Sequence, residues 1–112
     1  MTSIKRVLIA NRGEIAVRII RTCKRLGIET VLAASEADLQ SLAARLADKV
    51  VCIGPARSAE SYLNVDKVVA AAIKVEADAL HPGYGFLSEN KRLAAACAEA
   101  GVLFIGPTVE QL

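Results

Sequence analysis

The stretch Arg6-Val7-Leu8-Ile9-Ala10-Asn11-Arg12-Gly13-Glu14-Ile15-Ala16 decides how the rest of the chain is interpreted. Residues 6–10 form a short apolar run that predicts a buried strand. Asn11-Arg12-Gly13 interrupts this run. Residues 14–26 then carry apolar side chains at close to helical spacing, and Gly27 stands where a C-terminal cap glycine belongs. A strand that leads through a short turn into an amphipathic helix predicts an α/β fold.

The same alternation continues along the chain. Further strands are predicted at residues 30–34, 50–53, 79–81 and 102–105, and further helices at 39–46, 65–75 and 91–100. Asn64 can cap the helix that begins at residue 65, and residues 56–63 are predicted to be irregular or briefly helical. Strands that alternate with helices through short connections predict one three-layer domain, with a parallel five-stranded sheet, right-handed crossovers and flanking helices.

Composition restricts the classes of function. Of the 112 residues, 54% are hydrophobic and 23% are charged, which is typical of a globular domain, and the 4% of aromatic residues predict an aliphatic core. The net charge of +2 comes without a block of lysine or arginine, so nucleic acid is not an expected partner. The N-terminus lacks a signal-peptide pattern, and no apolar stretch has the length of a membrane span, so no membrane partner is expected either.

The cysteines indicate a reducing environment. Cys23, Cys52 and Cys97 are odd in number and far apart, and the chain has a single histidine. This pattern predicts neither a zinc site nor a disulfide framework. Each cysteine is expected to be a small buried residue with a free thiol, and the chain is expected to be cytoplasmic.

The run His81-Pro82-Gly83-Tyr84-Gly85-Phe86-Leu87-Ser88-Glu89-Asn90 is the strongest candidate for a functional loop. Its glycines and proline disfavour a helix or a strand interior, so we expect a fixed loop that places His81, Tyr84 and Glu89 at one rim of the sheet. In an open parallel sheet, ligands bind beyond the carboxyl ends of the strands. His81 is either a proton carrier or a structural residue, and Glu89 either belongs to the site or serves the next helix. Tyr84 either packs into the core or covers a ligand.

Two other segments invite a functional interpretation. The turn after the first strand has one glycine instead of the pattern G-x-G-x-x-G, and Glu14 opposes an anion there, so binding of NAD or FAD is disfavoured. A phosphate-binding P-loop is excluded because the sequence contains no G-x-x-x-x-G-K-[ST]. Arg18, Arg21 and Arg25 share one side of the first helix, which is either a solvated face or a partner surface.

Five segments, in this order and spacing, resemble the N-terminal domain of biotin carboxylase, the biotin-carboxylating component of acyl-CoA and pyruvate carboxylases. The longest is the run 81–90, which is highly specific. The other four are Ala10-Asn11-Arg12-Gly13-Glu14-Ile15-Ala16, Cys52-Ile53-Gly54-Pro55, Ser61-Tyr62-Leu63-Asn64 and Phe104-Ile105-Gly106-Pro107. The resemblance covers about residues 5–112.

The resemblance implies a Rossmann-like domain of the kind that precedes an ATP-grasp fold. In such enzymes ATP phosphorylates bicarbonate, carboxyphosphate releases carbon dioxide, and biotin captures it with the help of Mg²⁺ or Mn²⁺. The implied partners are a downstream ATP-grasp domain, a biotin carboxyl carrier domain, a carboxyltransferase and a second copy of the enzyme. Gly83 and Tyr84 match a loop on the biotin side of the site, and Arg18 and Arg21 match positions near a dimer interface. No catalytic or metal-binding residue carries over to residues 1–112.

Two departures from the family pattern are expected to alter contacts. Arg25 stands where bacterial relatives often have an acidic residue, which puts dimerisation through the same contacts in doubt. Residues 35–48 lack the histidine and the Asp-Arg pair that are common in the family, and Ala37-Asp38-Leu39-Gln40 stands there instead. Altered surface contacts are expected in this region rather than lost chemistry.

The end of the sequence suggests a longer polypeptide. Thr108-Val109-Glu110-Gln111 matches the capping box that opens a helix, and Leu112 follows within one turn. One turn is far too short for a stable helix, so the chain is expected to be a fragment that is inactive alone. The alternatives are a free-standing α/β binding module and the leading domain of another ATP-grasp ligase, such as a carbamoyl-phosphate synthetase.

Overall fold

The computed structural model describes residues 4–106 and contains one five-stranded sheet. All neighbouring strands are parallel, and their order across the sheet is β3-β2-β1-β4-β5. The strands are β1 (Arg6–Ile9), β2 (Glu29–Ser35), β3 (Lys49–Gly54), β4 (Ala79–His81) and β5 (Leu103–Phe104). The predicted α/β class with a parallel five-stranded sheet is therefore confirmed.

Helices cover both faces of this sheet, so the predicted three-layer arrangement is also confirmed. They are α1 (Gly13–Arg25), α2 (Leu42–Leu46), α3 (Val65–Lys74) and α4 (Lys91–Ala100), with short 3-10 turns at Glu36–Asp38 and Ser58–Glu60. Val7 and Ile9 belong to the buried cluster formed with α1 and α2. Leu8 belongs to the cluster formed with α3 and α4. Successive residues of β1 thus enter opposite layers, as the two-residue period of a strand requires.

Local capping sets the ends of the helices. Gly27 has a φ of +73° after α1, and the Asn64 side chain accepts a hydrogen bond from the Lys67 amide at 3.0 Å at the start of α3, both as predicted. Asn90 caps α4 in the same way, because its side chain accepts a hydrogen bond from the Leu93 amide at 2.9 Å. The helix expected at residues 39–46 begins only at Leu42, because Ser41 accepts from the Ala44 amide and caps it there.

The strand order creates a crevice between β1 and β4. The crossover from β1 to β2 runs through α1 on one face of the sheet, and the crossover from β3 to β4 runs through α3 on the other face. The connections therefore diverge at the carboxyl ends of β1 and β4, which is where open α/β sheets bind their ligands. Asn11 follows β1 and the loop 82–90 follows β4, so both reach this crevice.

Two further sequence predictions differ from the structure, and a third concerns residues outside the described range. Cys23 and Cys97 are buried as expected, but the prediction for Cys52 is wrong: it is exposed, because β3 is an edge strand in which only Ile53 is fully buried. The last strand is shorter than the predicted 102–105. The capping box predicted at 108–111 lies outside the described residues.

Within residues 4–106, no helix is both long and apolar enough to cross a membrane.

Candidate functional site

Asn11 joins the end of β1 to the loop that follows β4. Its side chain is buried, and its Nδ2 donates hydrogen bonds to the carbonyl oxygens of Pro82 at 2.8 Å and Tyr84 at 2.7 Å. Its Oδ1 accepts a hydrogen bond from the Arg12 amide at 2.8 Å. Both donors and the acceptor of this amide are therefore satisfied, which is what burial of a polar side chain requires.

Gly83 lies between the two carbonyl groups that Asn11 binds, and its position demands glycine. Its φ is +69°, in the left-handed region that other residues rarely adopt. A Cβ at this position would lie 2.6 Å from Asn11 Nδ2 and 2.9 Å from Ile15 Cγ2. The missing side chain of Gly83 thus makes room for Asn11 and Ile15, and Gly83 is not among the residues that line the groove beside Tyr84.

His81 has a structural contact that accounts for its presence. The Gly83 amide donates to His81 Nδ1 at 3.0 Å, so we infer that the imidazole is neutral with its hydrogen on Nε2. Burial lowers the pKa of this imidazole below its ordinary value, which also favours the neutral form. The geometry favours the structural role of His81 over that of a proton carrier.

Tyr84 projects from the surface. Its exposed fraction of 78% contradicts the alternative in which the ring packs into the core. Tyr84 and His81 line an open groove of about 680 Å³, and Glu89, although exposed, is not among the residues that line it. The remaining groove residues come from the strands, their ends and α1, and they are mostly apolar: Ile4, Val7, Glu14, Ile15, Arg18, Ile19, Thr22, Cys23, Leu26, Ile28 and Ile105.

The far part of the loop is held by aromatic stacking. The rings of Phe86 and Tyr62 have centroids 5.0 Å apart and an interplanar angle of 27°. Phe86 has a φ of +45°, which is unusual for a residue with a bulky side chain. The loop therefore keeps a constrained backbone at Phe86 as well as at Gly83, and Tyr84 lies between these two points.

The ring of Tyr62 is itself fixed by a buried carboxylate. The Tyr62 hydroxyl donates to Asp38 Oδ2 at 2.6 Å and accepts from the Ser35 amide at 3.1 Å. Arg12 binds Asp38 through two hydrogen bonds, Nε to Oδ2 at 2.8 Å and Nη2 to Oδ1 at 2.9 Å. Such a bidentate pair is stronger than a bond between neutral groups. Tyr62 and Arg12 are thus both hydrogen-bonded to the same residue, Asp38.

The electrostatics of this cluster follow from these bonds. The hydrogen bonds from the Arg12 guanidinium lower the pKa of Asp38 from 3.8 to about 2, against the opposing effect of burial. Burial, together with the hydrogen bond to the Asp38 carboxylate, raises the pKa of the Tyr62 phenol. Near neutral pH the cluster therefore contains a carboxylate, a guanidinium and a neutral phenol, so its net charge is close to zero.

Sequence reasoning missed three residues of this arrangement: Asn11, Asp38 and Tyr62. The sequence places Asn11 at the carboxyl end of the first strand, on the edge of the sheet where ligands bind, but it gives the Asn11 side chain no partner and no role. Asp38 lies in the segment 35–48, where altered surface contacts had been expected. It is instead buried and bonded to Arg12 and Tyr62.

The two arginines of the predicted interface do not border the same surface. Arg18 and Arg21 are both exposed on α1. Arg18 lines the groove that contains Tyr84, whereas Arg21 lies beside Ser41 and Leu42 near α2. Arg18 and Arg21 therefore border two different grooves beside the exposed face of α1. Their role at an interface stays a prediction.

The described part of the chain offers no metal centre. Among residues 4–106, no group of three or more His, Cys, Asp or Glu side chains is placed to hold a metal ion. The arrangement supplies instead a rigid loop, an exposed aromatic ring and an adjoining apolar groove.

Comparisons with known proteins give a consistent result. A family model described as "Biotin carboxylase, N-terminal domain" matches residues 3–112. Biotin carboxylase 1 of Bacillus subtilis is 55% identical over 109 residues, which cover 97% of this chain and 24% of the relative. The mitochondrial propionyl-CoA carboxylase alpha chain of Homo sapiens is 54% identical over 102 residues, covering 91% of this chain and 14% of that protein. The chain thus spans about a quarter or less of these relatives.

A solved structure shares the fold. It is the biotin carboxylase domain dimer of the 2-oxoglutarate carboxylase from Hydrogenobacter thermophilus, in complex with MgADP, ADP and bicarbonate. The TM-score is 0.91 at 45% sequence identity, and the match covers 98% of this chain and 24% of the other.

Proposed function

The chain belongs to the family of biotin carboxylase N-terminal domains, and on this premise we propose that the complete protein carboxylates biotin with ATP and bicarbonate. We further propose that this chain forms one wall of the biotin pocket. The observation that carries the proposal is the exposed ring of Tyr84, held beside Gly83 at the crevice between β1 and β4. A free-standing binding module is not favoured, because the relatives are carboxylases over nearly the whole length of this chain.

The proposed contact with biotin has a simple chemical basis. A tyrosine ring offers an apolar surface with a polar hydroxyl, which suits a ligand that has an apolar ring system and a polar ureido group. Gly83 contributes to the same wall through its backbone, because Asn11 and Ile15 occupy the space where a side chain would be. The chain supplies shape and orientation on this side of the pocket, and no catalytic residue is assigned to it.

ATP and the divalent metal ion are proposed to bind outside this chain. Such ions supply neutralisation of phosphate charge during phosphoryl transfer. The described residues offer no cluster of metal ligands, and the sequence has no phosphate-binding loop. We therefore assign ATP and Mg²⁺ or Mn²⁺ to an ATP-grasp domain that accompanies this chain in the complete protein.

The same proposal names the partners. They are the ATP-grasp domain, a biotin carboxyl carrier domain, a carboxyltransferase and a second copy of the enzyme. The dimer of the Hydrogenobacter thermophilus domain supports the last of these, with Arg18 and Arg21 as the positions to test. All three cysteines are free thiols, which fits the proposed cytoplasmic location.

Biotin-dependent ATP hydrolysis tests the proposal directly. The complete protein should release phosphate from ATP in the presence of bicarbonate, with a rate that rises with free biotin, and residues 1–112 alone should show no such activity. Turnover by residues 1–112 alone would refute the assignment of the chemistry to another domain. ATP hydrolysis that responds to another acceptor and not to biotin would instead support a different ATP-grasp ligase.

A further inference from the structure

We propose that Asn11 is a positioning residue for biotin, which sets the place of Tyr84 by holding the backbone on both sides of Gly83. The inference rests on the proposed function, because it assigns Asn11 a role in the use of biotin. It deepens that function by tracing the geometry of the pocket wall to a side chain outside the loop.

The first step concerns the bonds themselves. Pro82 and Tyr84 flank Gly83, and their carbonyl oxygens both accept from the same Nδ2 atom at 2.8 and 2.7 Å. The left-handed φ of Gly83 turns the chain so that the two groups converge on this atom. The two carbonyl groups on either side of Gly83 are thus held by a single buried amide, in a loop that has no repeating hydrogen-bond ladder.

The second step concerns the rigidity of Asn11. The ladder between β1 and β4 continues past the strands, because the Ala10 amide donates to the His81 carbonyl oxygen at 3.0 Å. Asn11 follows Ala10, two residues beyond the end of β1, and its Oδ1 accepts a hydrogen bond from the Arg12 amide. The backbone before Asn11 and the Oδ1 atom of Asn11 are therefore both held by hydrogen bonds. The Asn11 side chain adds two further hydrogen bonds between the β1 and β4 segments, beyond the end of the ladder.

The third step concerns Tyr84. With an exposed fraction of 78%, its ring gains little support from neighbouring side chains, so the position of the ring depends on its backbone. That backbone is held by Asn11 on one side and by the stacking of Phe86 on Tyr62 on the other. Tyr62 is hydrogen-bonded to Asp38, which is hydrogen-bonded to Arg12. The contacts on the two sides of Tyr84 therefore lead back to Asn11 and Arg12, which are consecutive residues of one turn.

The test is Asn11→Ala in the complete protein. It removes both donors and leaves two loop carbonyl groups without a partner, so we expect the KM for free biotin to rise about tenfold. The KM for ATP and the kcat should change by less than about twofold, because the lost contact acts on binding of biotin alone. Hydrogen exchange of residues 82–88, measured by mass spectrometry, should accelerate.

Thr30→Val is the matched control. Thr30 is as buried as Asn11, and its hydroxyl bonds with Asp48 at the opposite, amino edge of the sheet. This variant should lose stability without changing the KM for biotin or the exchange of residues 82–88. Where Asn11→Ala fails to fold, Asn11→Asp keeps the shape of the side chain, removes both donors and should give the same two results.

The outcomes separate the two proposals. Faster exchange of residues 82–88 in a protein whose wild type never turns over biotin would retain the structural role of Asn11 and refute the proposed function. Biotin-dependent turnover in the wild type, with an unchanged KM for biotin and unchanged exchange in the Asn11 variants, would overturn the positioning role and leave the proposed function standing. A rise in KM that Thr30→Val reproduces would also overturn it, because the effect would then follow from stability.

Discussion

At both the amino and the carboxyl edge of the sheet, polar side chains form hydrogen bonds with backbone groups. At the amino edge the bound groups belong to the starts of strands, and at the carboxyl edge they belong to a loop. At the amino edge, Asp78 Oδ2 accepts from the Lys5 and Arg6 amides at 2.9 and 2.8 Å, and Asp48 Oδ2 accepts from the Thr30 amide at 2.8 Å. At the carboxyl edge, the Asn11 amide binds two carbonyl groups of the loop after β4. Each edge thus uses short polar side chains to bind backbone groups.

The difference lies in how much the bound segment depends on those side chains. At the amino edge they bind the first residues of regular strands, whose conformation is also maintained by the ladder of the sheet. At the carboxyl edge they bind a loop that has left-handed φ values at Gly83, Gly85 and Phe86 and no ladder of its own. Changes at the carboxyl edge should therefore disturb a particular shape, whereas changes at the amino edge should lower stability alone.

Gly83→Ala should have the largest effect. A Cβ there would meet Asn11 Nδ2 at 2.6 Å and Ile15 Cγ2 at 2.9 Å, and the left-handed φ adds strain. We expect the free energy of unfolding to fall by about 3 kcal/mol, from backbone strain and overpacking together. Urea denaturation of residues 1–112 measures this change, and biotin-dependent turnover of the complete protein should fall with it.

Gly85→Ala is the control for this prediction. Gly85 has the same φ of +69°, but a Cβ there would meet nothing within 4 Å. The free energy of unfolding of Gly85→Ala should fall by about 1 kcal/mol, from backbone strain alone. Equal losses for the two variants would contradict the close packing of Asn11 against Gly83.

Asp38→Asn should have the next largest effect, and the effect should depend on pH. The pKa of Asp38 is lowered from 3.8 to about 2, so its charged form stabilises the folded state by roughly 2 kcal/mol above the pKa of the unfolded chain. This contribution is complete above about pH 5 and is lost as the pH falls through about 4 towards 2. The difference in unfolding free energy between wild type and variant should therefore shrink in acid.

Asp78→Asn is the counterpart at the amino edge. The amides of Lys5 and Arg6 lower the pKa of Asp78, so its contribution is also lost as the pH falls. It should be smaller than that of Asp38, because an asparagine oxygen can still accept from these amides and no bidentate guanidinium pair is lost. Urea denaturation of both variants at pH 7 and at acid pH makes the comparison. A larger loss for Asp78→Asn would reverse the ranking of the two edges.

Tyr84→Ala should have the smallest effect on stability. The ring is exposed, so the free energy of unfolding should change by no more than about 0.5 kcal/mol. In the complete protein, the use of biotin should weaken while the affinity for ATP stays nearly the same. Steady-state kinetics with biotin and ATP varied in turn compares the effects on the two substrates. Unchanged biotin kinetics would refute the assignment of Tyr84 to the pocket wall.

Much of the fold could be predicted from local patterns, since apolar spacing and capping residues act over a few positions. Gly27 and Asn64 end and begin helices as expected. The predictions failed where the partner is distant. The exposure of Cys52 depends on β3 being an edge strand, and the burial of Asp38 depends on Arg12 and Tyr62. The groups that Asn11 binds lie 71 and 73 residues further along the chain, and no spacing in the sequence points to them.

The sequence by itself determined the α/β class, the order of the elements and the family, because each depends on the identity and spacing of neighbouring residues. Only the tertiary structure decided which strands are adjacent, and with that which polar residues meet at the carboxyl edge. By placing β1 beside β4 it brought Asn11 to the loop, left Tyr84 outside the core and gave His81 a structural bond. The physical reason is that hydrogen bonds between distant segments form only after the strand order has brought their partners within about 3 Å.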